Sequence, residues 1–502
     1  MRATKAMLLW TATLLAAPVA RAAVTLPYLI ADRMVVQRGL PVHIWGMAEP
    51  GETVTVTFRG SEQRSTADAV GRWSVHLPPG EAGGPFEMTI RGADMRTLRD
   101  VLVGDVWVAS GQSNMEWPMN RSAGAAREMP AARHPRIRLV RAMHKTSEYP
   151  VDDLVGDMWR ECTPETAADF SAVAYHFGRA IQQSSGAPIG LIQTAWGGTP
   201  LDGWTSLRAI SADPALMPVF AEWDARMQEY ALARLRYHRA AKEWEAATAA
   251  DRAQRKKVAP PPAKPTGPDG PWEPGVLYNA MVAPITPFAI RGVIWYQGEA
   301  NGSNRRAPLY GRLFRAMIQD WRRAWGIGDF PFLFVQLANY NAPDSDWPEL
   351  REGQRQALAL RNTAMAVTID AGTPEDIHPP DKQTVGTRLS LAARALVYGE
   401  AIEYSGPLPR QAAAQGGSVT VWFDHAEGLS VRGGGLRGFE VAGENRQFVP
   451  ADARIEGGAV VLHGHGIVLP RWVRHAWKDN PDCCLYNAAG LPAPPFRLEI
   501  GR

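Results

Sequence analysis

Ser113 is the residue in this sequence that is best placed to act as a nucleophile. It lies in the tetrapeptide Gly111-Gln112-Ser113-Asn114, directly after the apolar run at residues 106–109. A serine on a tight turn at a strand end, next to a glycine that lets other backbone or substrate approach, is positioned for nucleophilic attack. The surrounding sequence is not G-x-S-x-G, which argues against the nucleophile elbow of the usual α/β-hydrolases.

A serine nucleophile needs a base, and we predict His378 for this role. Of the eleven histidines, it alone has a carboxylate three residues before it, Glu375. On a loop, this spacing lets the acid fold back onto one imidazole nitrogen while the other faces the serine. Chance alone would give about one such pair, so the stronger argument is its place after a strand end of the same sheet. Glu299 is left open between a second acid supporting His378 and a structural carboxylate.

The oxyanion that forms during acyl transfer needs hydrogen-bond donors. Gly197 and Gly198 follow a predicted strand and can expose backbone N–H groups, and Gln297 follows the next strand and can add a side-chain amide. Each well-aimed donor is typically worth about 3 kcal/mol in the transition state. Simple turn geometry for the glycines and a buried amide for Gln297 are the alternatives.

The elements that must position these residues alternate between short apolar runs and helix-like segments, which is typical of parallel strands covered on both faces. The runs predict a doubly wound α/β domain whose working loops collect beyond the carboxyl ends of the strands. The five runs lie at residues 101–109, 189–195, 290–296, 332–338 and 364–369.

The flanks differ from this pattern. Alternating apolar and polar residues predict an N-terminal β domain at residues 23–100 and a C-terminal β region at residues 403–502, around a catalytic domain at 101–402. The catalytic domain carries an insertion at 209–274, where residues 218–257 predict one long helix or a hairpin of two, followed by a Pro-rich linker. Four aromatic residues at seven-residue intervals predict a stripe that packs on the domain or walls a sugar site: Trp223, Tyr230, Tyr237 and Trp244.

The distribution of charge bears on where the protein is located more than on which partner it binds. The chain has 54 Lys and Arg against 51 Asp and Glu, and the excess of three, Arg2, Lys5 and Arg21, lies within residues 1–22. That segment has a basic start, an apolar run and a small-x-small site, so it predicts a signal peptide and an exported, periplasmic or secreted protein without a membrane anchor. The formally neutral remainder argues against nucleic acid as a partner. Oligomeric state is not indicated by the sequence.

Two further composition signals concern cysteine and tryptophan. Three cysteines, Cys162, Cys483 and Cys484, permit one disulfide bridge or three free thiols. The 18 Trp residues outnumber both Phe and Tyr. Indole rings pack in cores and also stack on the apolar faces of sugars, so the surplus weakly favours a carbohydrate ligand.

The motifs GQSNMEW, WGGTPLDGW, WYQGEAN and DIHPPDKQ, in this order, resemble the sialate O-acetylesterase family of SGNH hydrolases. The resemblance implies an SGNH, flavodoxin-like three-layer α/β/α sheet and a cofactor-free and metal-free serine esterase acting on an acetylated carbohydrate. It implies Ser113 as nucleophile, His378 as base, and Ser113, Gly198 and Gln297 as oxyanion donors. Flanking residues of the same motifs are assigned to substrate binding: Gln112, Asn114, Trp196 and Trp204.

One position departs from the family pattern, which is usually D-x-x-H before the histidine. Glu375 occupies the Asp position, so we rank Glu375 first as the acid that orients His378, Glu299 second and Asp376 third. The competing hypotheses are a glycosidase that uses Glu299 with a carboxylate such as Glu375, a non-catalytic sugar-binding protein, and metal-dependent hydrolysis through His463 and His465. The sequence permits both sialic acid and neutral plant-wall sugars as substrate and slightly favours the latter.

Overall fold

A computed structural model describes residues 23–254, 256–268 and 270–501 of the chain. The predicted signal peptide at residues 1–22 lies outside the described residues. No helix within the described ranges combines the length and the apolar character that crossing a bilayer requires.

Most strands of the N-terminal region are short and antiparallel, and three of them alternate buried with more exposed side chains. Strand β2 pairs with β5 as a two-stranded sheet, and β3 pairs with β4 and β6. The strands are β1 (Val35–Gln37), β2 (Val42–Met47), β3 (Thr53–Phe58), β4 (Ser61–Thr66), β5 (Arg72–Leu77) and β6 (Gly83–Arg91).

The seventh strand, β7 (Met95–Gly111), connects this region to the centre of the molecule. Its first part pairs with β6, and its last residues pair with two central strands. The predicted boundary between residues 100 and 101 therefore falls inside one continuous strand. The catalytic serine candidate, Ser113, lies two residues beyond the end of this strand.

The strands of the central sheet are mainly parallel, and helices connect most of them. Its strand order is β13-β12-β11-β7-β10-β8-β9, and only β9, at the edge, runs antiparallel to its neighbour. The strands after β7 are β8 (His134–Arg141), β9 (Arg160–Cys162), β10 (Ile189–Ala195), β11 (Gly292–Tyr296), β12 (Phe332–Gln336) and β13 (Thr363–Val367). All five predicted apolar runs are strands of this sheet, and β8 and β9 are additional strands.

The helices between these strands have clear start and stop signals. In α4, the Ser171 hydroxyl accepts a hydrogen bond from the Ala174 N–H at the start, and Gly186, with φ of 66°, ends the helix. Helix α4 packs against α9, and α7 packs against α8. The helices are α1 (Ser113–Glu116), α2 (Ala125–Glu128), α3 (Pro164–Ala168), α4 (Ala172–Ser185), α5 (Leu207–Ser211), α6 (Met217–Ala253), α7 (Ala307–Trp325), α8 (Trp347–Gln356) and α9 (Lys382–Leu396).

The predicted helical insertion is a single long helix, α6, and Val219 is its one buried residue within the described part of the chain. The four aromatic residues of its stripe are half-buried. Trp244 donates its indole N–H to the Ala259 carbonyl at 2.8 Å, and the Tyr230 ring lies against Gly267. Tyr230 and Trp244 of the stripe therefore pack on the returning Pro-rich linker.

The C-terminal region forms a second sheet with its own buried cluster of apolar side chains. It docks on α8, where Arg497 pairs with Glu349 at 3.0 Å and Arg351 donates to the carbonyls of Lys478 and Asp479. Its strands are β14 (Leu408–Gln415), β15 (Ser418–Asp424), β16 (Ser430–Val431), β17 (Phe439–Ala442), β18 (Val449–Glu456), β19 (Ala459–Gly464), β20 (Trp472–His475), β21 (Leu485–Tyr486) and β22 (Phe496–Glu499).

Two of the three cysteines and several of the tryptophans lie in the interior of the protein. Cys162, Cys483 and Cys484 are all free, and burial raises the pKa of Cys162 and of Cys483 to about 12. Trp107, Trp159, Trp204, Trp295 and Trp321 are among the largest fully buried side chains. Core packing therefore accounts for a large share of the Trp surplus.

Candidate active site

Ser113 begins helix α1, immediately after the long strand β7 ends at Gly111. Gly111 has φ of 133°, and a Cβ built at this position would lie 2.1 Å from the Tyr296 carbonyl oxygen of β11. Only glycine therefore lets the chain turn here while β7 stays paired with β11. This turn places Ser113 at the carboxyl edge of the sheet, where β7, β10 and β11 end side by side.

His378 lies against the serine. Its Nε2 is 2.8 Å from the Ser113 Oγ. Its ring stacks on Trp117, with 5.3 Å between centroids and 20° between planes, and the Arg121 guanidinium covers the Trp117 ring at 4.1 Å. Burial, reinforced by the positive charge of Lys382, lowers the pKa of His378, so the imidazole is neutral and able to accept a proton near neutral pH. The two residues predicted as nucleophile and base are thus brought together.

The carboxylate nearest to the imidazole is that of Asp376, which differs from the predicted ranking. The Asp376 Oδ1 lies 3.6 Å from the His378 Nδ1 and accepts the His378 backbone N–H at 2.8 Å. Glu375 is exposed, and the structure shows no contact between it and the ring. The loop turns at residues 373–376, where Thr373 and Asp376 form a β-bridge, so Glu375 points away and the next residue faces the histidine.

Glu299 is part of a buried cluster beneath the serine and does not contact His378. It accepts a hydrogen bond at 2.5 Å from Asn114, whose amide oxygen in turn accepts from the Lys382 ammonium. Burial raises the pKa of Glu299 and lowers that of Lys382 to about 7. Of the two roles left open for Glu299, the structural one fits this position. Asn114 is 1% exposed and also bonds the Ile377 carbonyl, so its side chain faces the interior rather than a substrate.

Replacement of Glu299 by glutamine is expected to lower stability more than turnover. The amide keeps the shape but removes the charge that favours the protonated form of the buried Lys382, and a buried polar group that loses its compensating partner typically costs about 1–3 kcal/mol. Chemical denaturation of Glu299→Gln measures this loss against Glu427→Gln, a replacement of an exposed glutamate. A variant of unchanged stability that releases acetate more than a hundredfold more slowly would instead assign Glu299 to the chemistry.

The glycine turn after β10 is held from one side by Glu116. The Gly197 N–H donates to the Glu116 Oε2 at 2.7 Å, and the other oxygen lies 2.8 Å from the His144 Nε2. The His144 ring stacks on Trp196, with 4.4 Å between centroids and 4° between planes. Gly198, with φ of 75°, is exposed, and its N–H has no partner among the described residues. The sequence did not single out Glu116 or His144, although Glu116 lies in the same motif as Ser113.

Gln297 and Gln112 are buried and committed to loop structure. The Gln297 Nε2 donates to the Asn301 Oδ1 at 2.7 Å and to the Thr199 carbonyl at 3.2 Å, so both amide hydrogens are used. This differs from the expectation of a free oxyanion donor. The Gln112 Oε1 accepts from the Gly298 and Ala300 N–H groups, and its side chain is 3% exposed, which leaves it no surface for substrate.

The two tryptophans assigned to substrate binding are placed differently. Trp204 is fully buried, and its indole N–H donates to the Thr199 hydroxyl at 2.8 Å, so it belongs to the core and cannot stack on a sugar. Trp196 is half-buried beside the glycine turn, where one face covers His144. Only Trp196 keeps surface near Ser113.

A cavity of about 560 Å³ opens over Ser113 and His378. Trp117, Arg121 and Arg141 line it together with Asp376. Arg141 is paired with Asp157 at 3.2 Å, whereas Arg121 is exposed and contacts the indole of Trp117 rather than a carboxylate. Glu116 and Asp169 line the cavity as well, so three carboxylates, Asp376 included, accompany the two guanidinium groups.

The competing hypotheses find less support in the geometry. Glu299 is buried and Glu375 is exposed, so the two do not form a pair across a common cleft. His463 contacts Ser418 and Arg454, and His465 pairs with Asp452. Within the described residues, no three His, Cys, Asp or Glu side chains are grouped so that they could hold a metal ion.

The chain is similar to known esterases over most of its length. A family model described as "Carbohydrate esterase, sialic acid-specific acetylesterase" matches residues 103–247 and 267–394. Sialate O-acetylesterase of Mus musculus is 33% identical, with 91% of each chain covered, and that of Homo sapiens is 31% identical, with 90% of this chain and 88% of the human protein covered.

Structural comparison agrees with these matches. The crystal structure of a carbohydrate acetylesterase from Xanthomonas citri superposes with a TM-score of 0.81 at 36% identity, covering 95% of this chain and 99% of that one. The matched residues include Ser113, His378 and the strands that carry them. The chain therefore belongs to the sialic acid-specific acetylesterase family of carbohydrate esterases and is a carboxylic ester hydrolase.

Proposed function

We propose that the chain removes O-acetyl groups from sugars through an acetyl-enzyme formed on Ser113. The contact that carries this proposal is the 2.8 Å approach of the His378 Nε2 to the Ser113 Oγ at the mouth of a cavity. This distance is within the range of a hydrogen bond through which the serine proton can pass to the imidazole.

The proposed reaction has two steps. The Ser113 Oγ attacks the acetyl carbonyl while His378 takes its proton, and the resulting imidazolium gives that proton to the departing sugar oxygen. A water molecule then loses a proton to His378 as it attacks the acetyl-enzyme, and the proton returns to Ser113 as acetate leaves. Asp376 orients the imidazole so that Nε2 faces the serine, and it stabilises the imidazolium in both steps.

The proposed oxyanion hole consists of the Ser113 and Gly198 backbone N–H groups. The Gly197–Gly198 turn lies against the nucleophile, because a Cβ built at Gly197 would be 3.3 Å from the Ser113 Cβ. Neither the Ser113 nor the Gly198 N–H has a partner within the described residues. Gln297 supports this arrangement indirectly, because its amide holds the Thr199 carbonyl next to Gly198. Glu116 acts as a positioning residue, since it fixes the Gly197 N–H and with it the direction of the turn.

Loss of the Glu116 carboxylate is expected to reduce kcat by about 100-fold, the typical effect of one misplaced oxyanion donor, while KM changes by less than about threefold. Glu116→Gln keeps one oxygen for the Gly197 N–H and is expected to restore part of the activity lost in Glu116→Ala. Steady-state kinetics on an aryl acetate checks this, with Glu165→Gln as an exposed-carboxylate control. Equal kcat in Glu116→Ala and the unmodified protein would remove Glu116 from the machinery.

The proposed architecture of the catalytic domain is the three-layer, SGNH-type α/β/α fold. The five predicted strands, numbered in chain order, lie in the order 2-1-3-4-5, with β8 and β9 added beside the second. The proposed divisions at residues 23–100, 101–402 and 403–502 mark functional regions of the chain. They are not structurally separate domains, because β7 runs through the first boundary. Residues 1–22 are proposed to direct export.

Acetate release from an aryl acetate tests the proposed function. The purified protein is expected to release acetate at the same rate with and without a strong chelator, because Ser113 and His378 supply the nucleophile and the base. A panel of acetylated sialosides, xylan and xyloglucan then identifies the sugar. Absence of acetate release from the aryl ester and from every member of the panel would contradict the proposal.

A further inference from the structure

The outward face of the β2/β5 sheet carries a row of stacked rings that is distant in sequence from Ser113 and His378. His43 stacks on Trp45, with 4.8 Å between centroids, and on His76 across the strand pair, with 4.4 Å. The His43 Nδ1 lies 3.0 Å from the Pro287 carbonyl, to which it must donate, so the ring orientation is fixed. Burial lowers the pKa of His43, which keeps the ring neutral. This row forms a rigid aromatic platform.

His43 and Trp45 of this platform line a cavity of about 620 Å³ between the N-terminal β region and the catalytic domain, and His76 lies outside that lining. Sites for small molecules typically enclose about 300–1,000 Å³, so one or a few sugar rings fit. Both aromatic and polar side chains line the cavity. Carbohydrate sites need a flat apolar surface together with hydrogen-bonding groups at its rim. Met47, 42% exposed, extends the apolar part.

Charged groups at the rim have free hydrogen-bonding capacity. The Arg72 guanidinium lies 3.1 Å from the Asp152 carboxylate, and their side chains are 62% and 89% exposed. Arg72 offers five N–H donors, and most of them remain free for hydroxyl groups. Asp68 and Asp153 also line the cavity, so three carboxylates face one guanidinium. This balance disfavours an anionic ligand.

We propose that the His76–His43–Trp45 platform and its cavity form a second carbohydrate site that binds a neutral saccharide, outside the active site. The choice of carbohydrate rests on the proposed function, because an esterase that acts on sugars meets the same glycan at this face. The face of Trp45 that is turned away from His43 covers the apolar face of a pyranose, and Arg72 and Asp152 bond its hydroxyls. The site holds the glycan while acetyl groups are removed elsewhere on it.

The connection between β8 and β9 links this site to the catalytic centre. It leaves β8 at Arg141, which lines the active-site cavity, and carries His144 against Trp196. It then supplies Asp152 and Asp153 to the second cavity. A glycan bound at the platform therefore contacts the same segment of chain that borders the nucleophile.

Binding to deacetylated xylan and xyloglucan, measured by affinity electrophoresis and calorimetry on the Ser113→Ala chain, tests this site without turnover. Trp45→Ala and Arg72→Ala, each added to that background, are expected to weaken binding by about tenfold, as the loss of one stacking ring or one fixed donor would. Trp422→Ala, which removes a half-buried tryptophan from β15, is the matched control and is expected to bind normally.

The outcomes separate this site from the proposed reaction. Hydrolysis of an aryl acetate by chains that retain Ser113 reports on the active site alone, and circular dichroism checks folding. Unchanged binding in both Trp45→Ala and Arg72→Ala, or an equal loss in Trp422→Ala, would overturn the site. Tighter binding of polysialic acid than of the neutral polysaccharides at this face would overturn its assignment to neutral saccharides.

Discussion

Ser113→Ala is expected to reduce acetate release by at least about 10⁴-fold while the protein stays folded. The hydroxyl is the only group of this residue that contacts His378, and removing a serine nucleophile typically leaves only the catalysis supplied by binding and oxyanion donors. The alanine side chain fits because the change deletes one atom at a half-buried position. Steady-state release of acetate from an aryl acetate measures the effect.

The matched control is Ser122→Ala, which removes the hydroxyl of a nearby serine that bonds the Pro118 carbonyl and not the histidine. That variant is expected to keep activity within about threefold. Mass spectrometry of the unmodified protein, quenched during turnover, is expected to show one acetyl group on the peptide containing Ser113. Activity of Ser113→Ala within tenfold of the unmodified protein would exclude the acetyl-enzyme on this residue.

The strands that place the site were predictable because they are buried on both faces. Continuous apolar runs identified β7 and β10 to β13, and β10 matches its predicted bounds, Ile189–Ala195. Strand β8 was missed because Arg138 interrupts its apolar pattern. The structure buries this residue to 3% exposure by pairing it with Asp100 at 2.8 Å, and a tertiary ion pair of this kind leaves no local signal.

The proximity of Ser113 and His378 was predictable for a related reason. Both follow strands whose carboxyl ends meet at one edge, so sequence position alone brings Ser113 and His378 close. The contributions of Glu116 and His144 depend on a loop after β8, a strand that the sequence pattern did not reveal. Gln297 and Trp204 lie in the right motifs but point inward, and side-chain direction on an irregular loop is decided by packing that no motif encodes.

The carboxylate beside His378 shows most clearly that side-chain direction on a loop depends on packing. Spacing favoured Glu375, three residues before the histidine, because a regular turn would fold it back. The Thr373–Asp376 bridge instead tightens the loop and turns the following carboxylate to the ring. Asp376 then serves two groups of His378, its backbone N–H and its imidazole, which fixes the loop and the ring together.

Asp376→Asn is accordingly expected to lower kcat by about 10²- to 10³-fold, whereas Glu375→Gln stays within about threefold of the unmodified protein. The effect is smaller than for a buried triad acid because the Asp376 side chain is 61% exposed and solvent screens its charge. Glu375 is the matched control, since it is the neighbouring exposed carboxylate on the same loop. A large loss in Glu375→Gln with normal turnover in Asp376→Asn would reverse the assignment.

The pH profile distinguishes a positioning role for Asp376 from a merely structural one. Activity needs a neutral His378, so kcat/KM rises as pH increases through the pKa of this residue, which burial places below its ordinary value of 6.5. The Asp376 charge by itself raises that pKa, because it favours the imidazolium. Its removal must therefore move the acid limb of the profile to lower pH, and Glu375→Gln must leave the limb in place. A limb that moves to higher pH in Asp376→Asn would contradict direct electrostatic contact between this carboxylate and the catalytic imidazole.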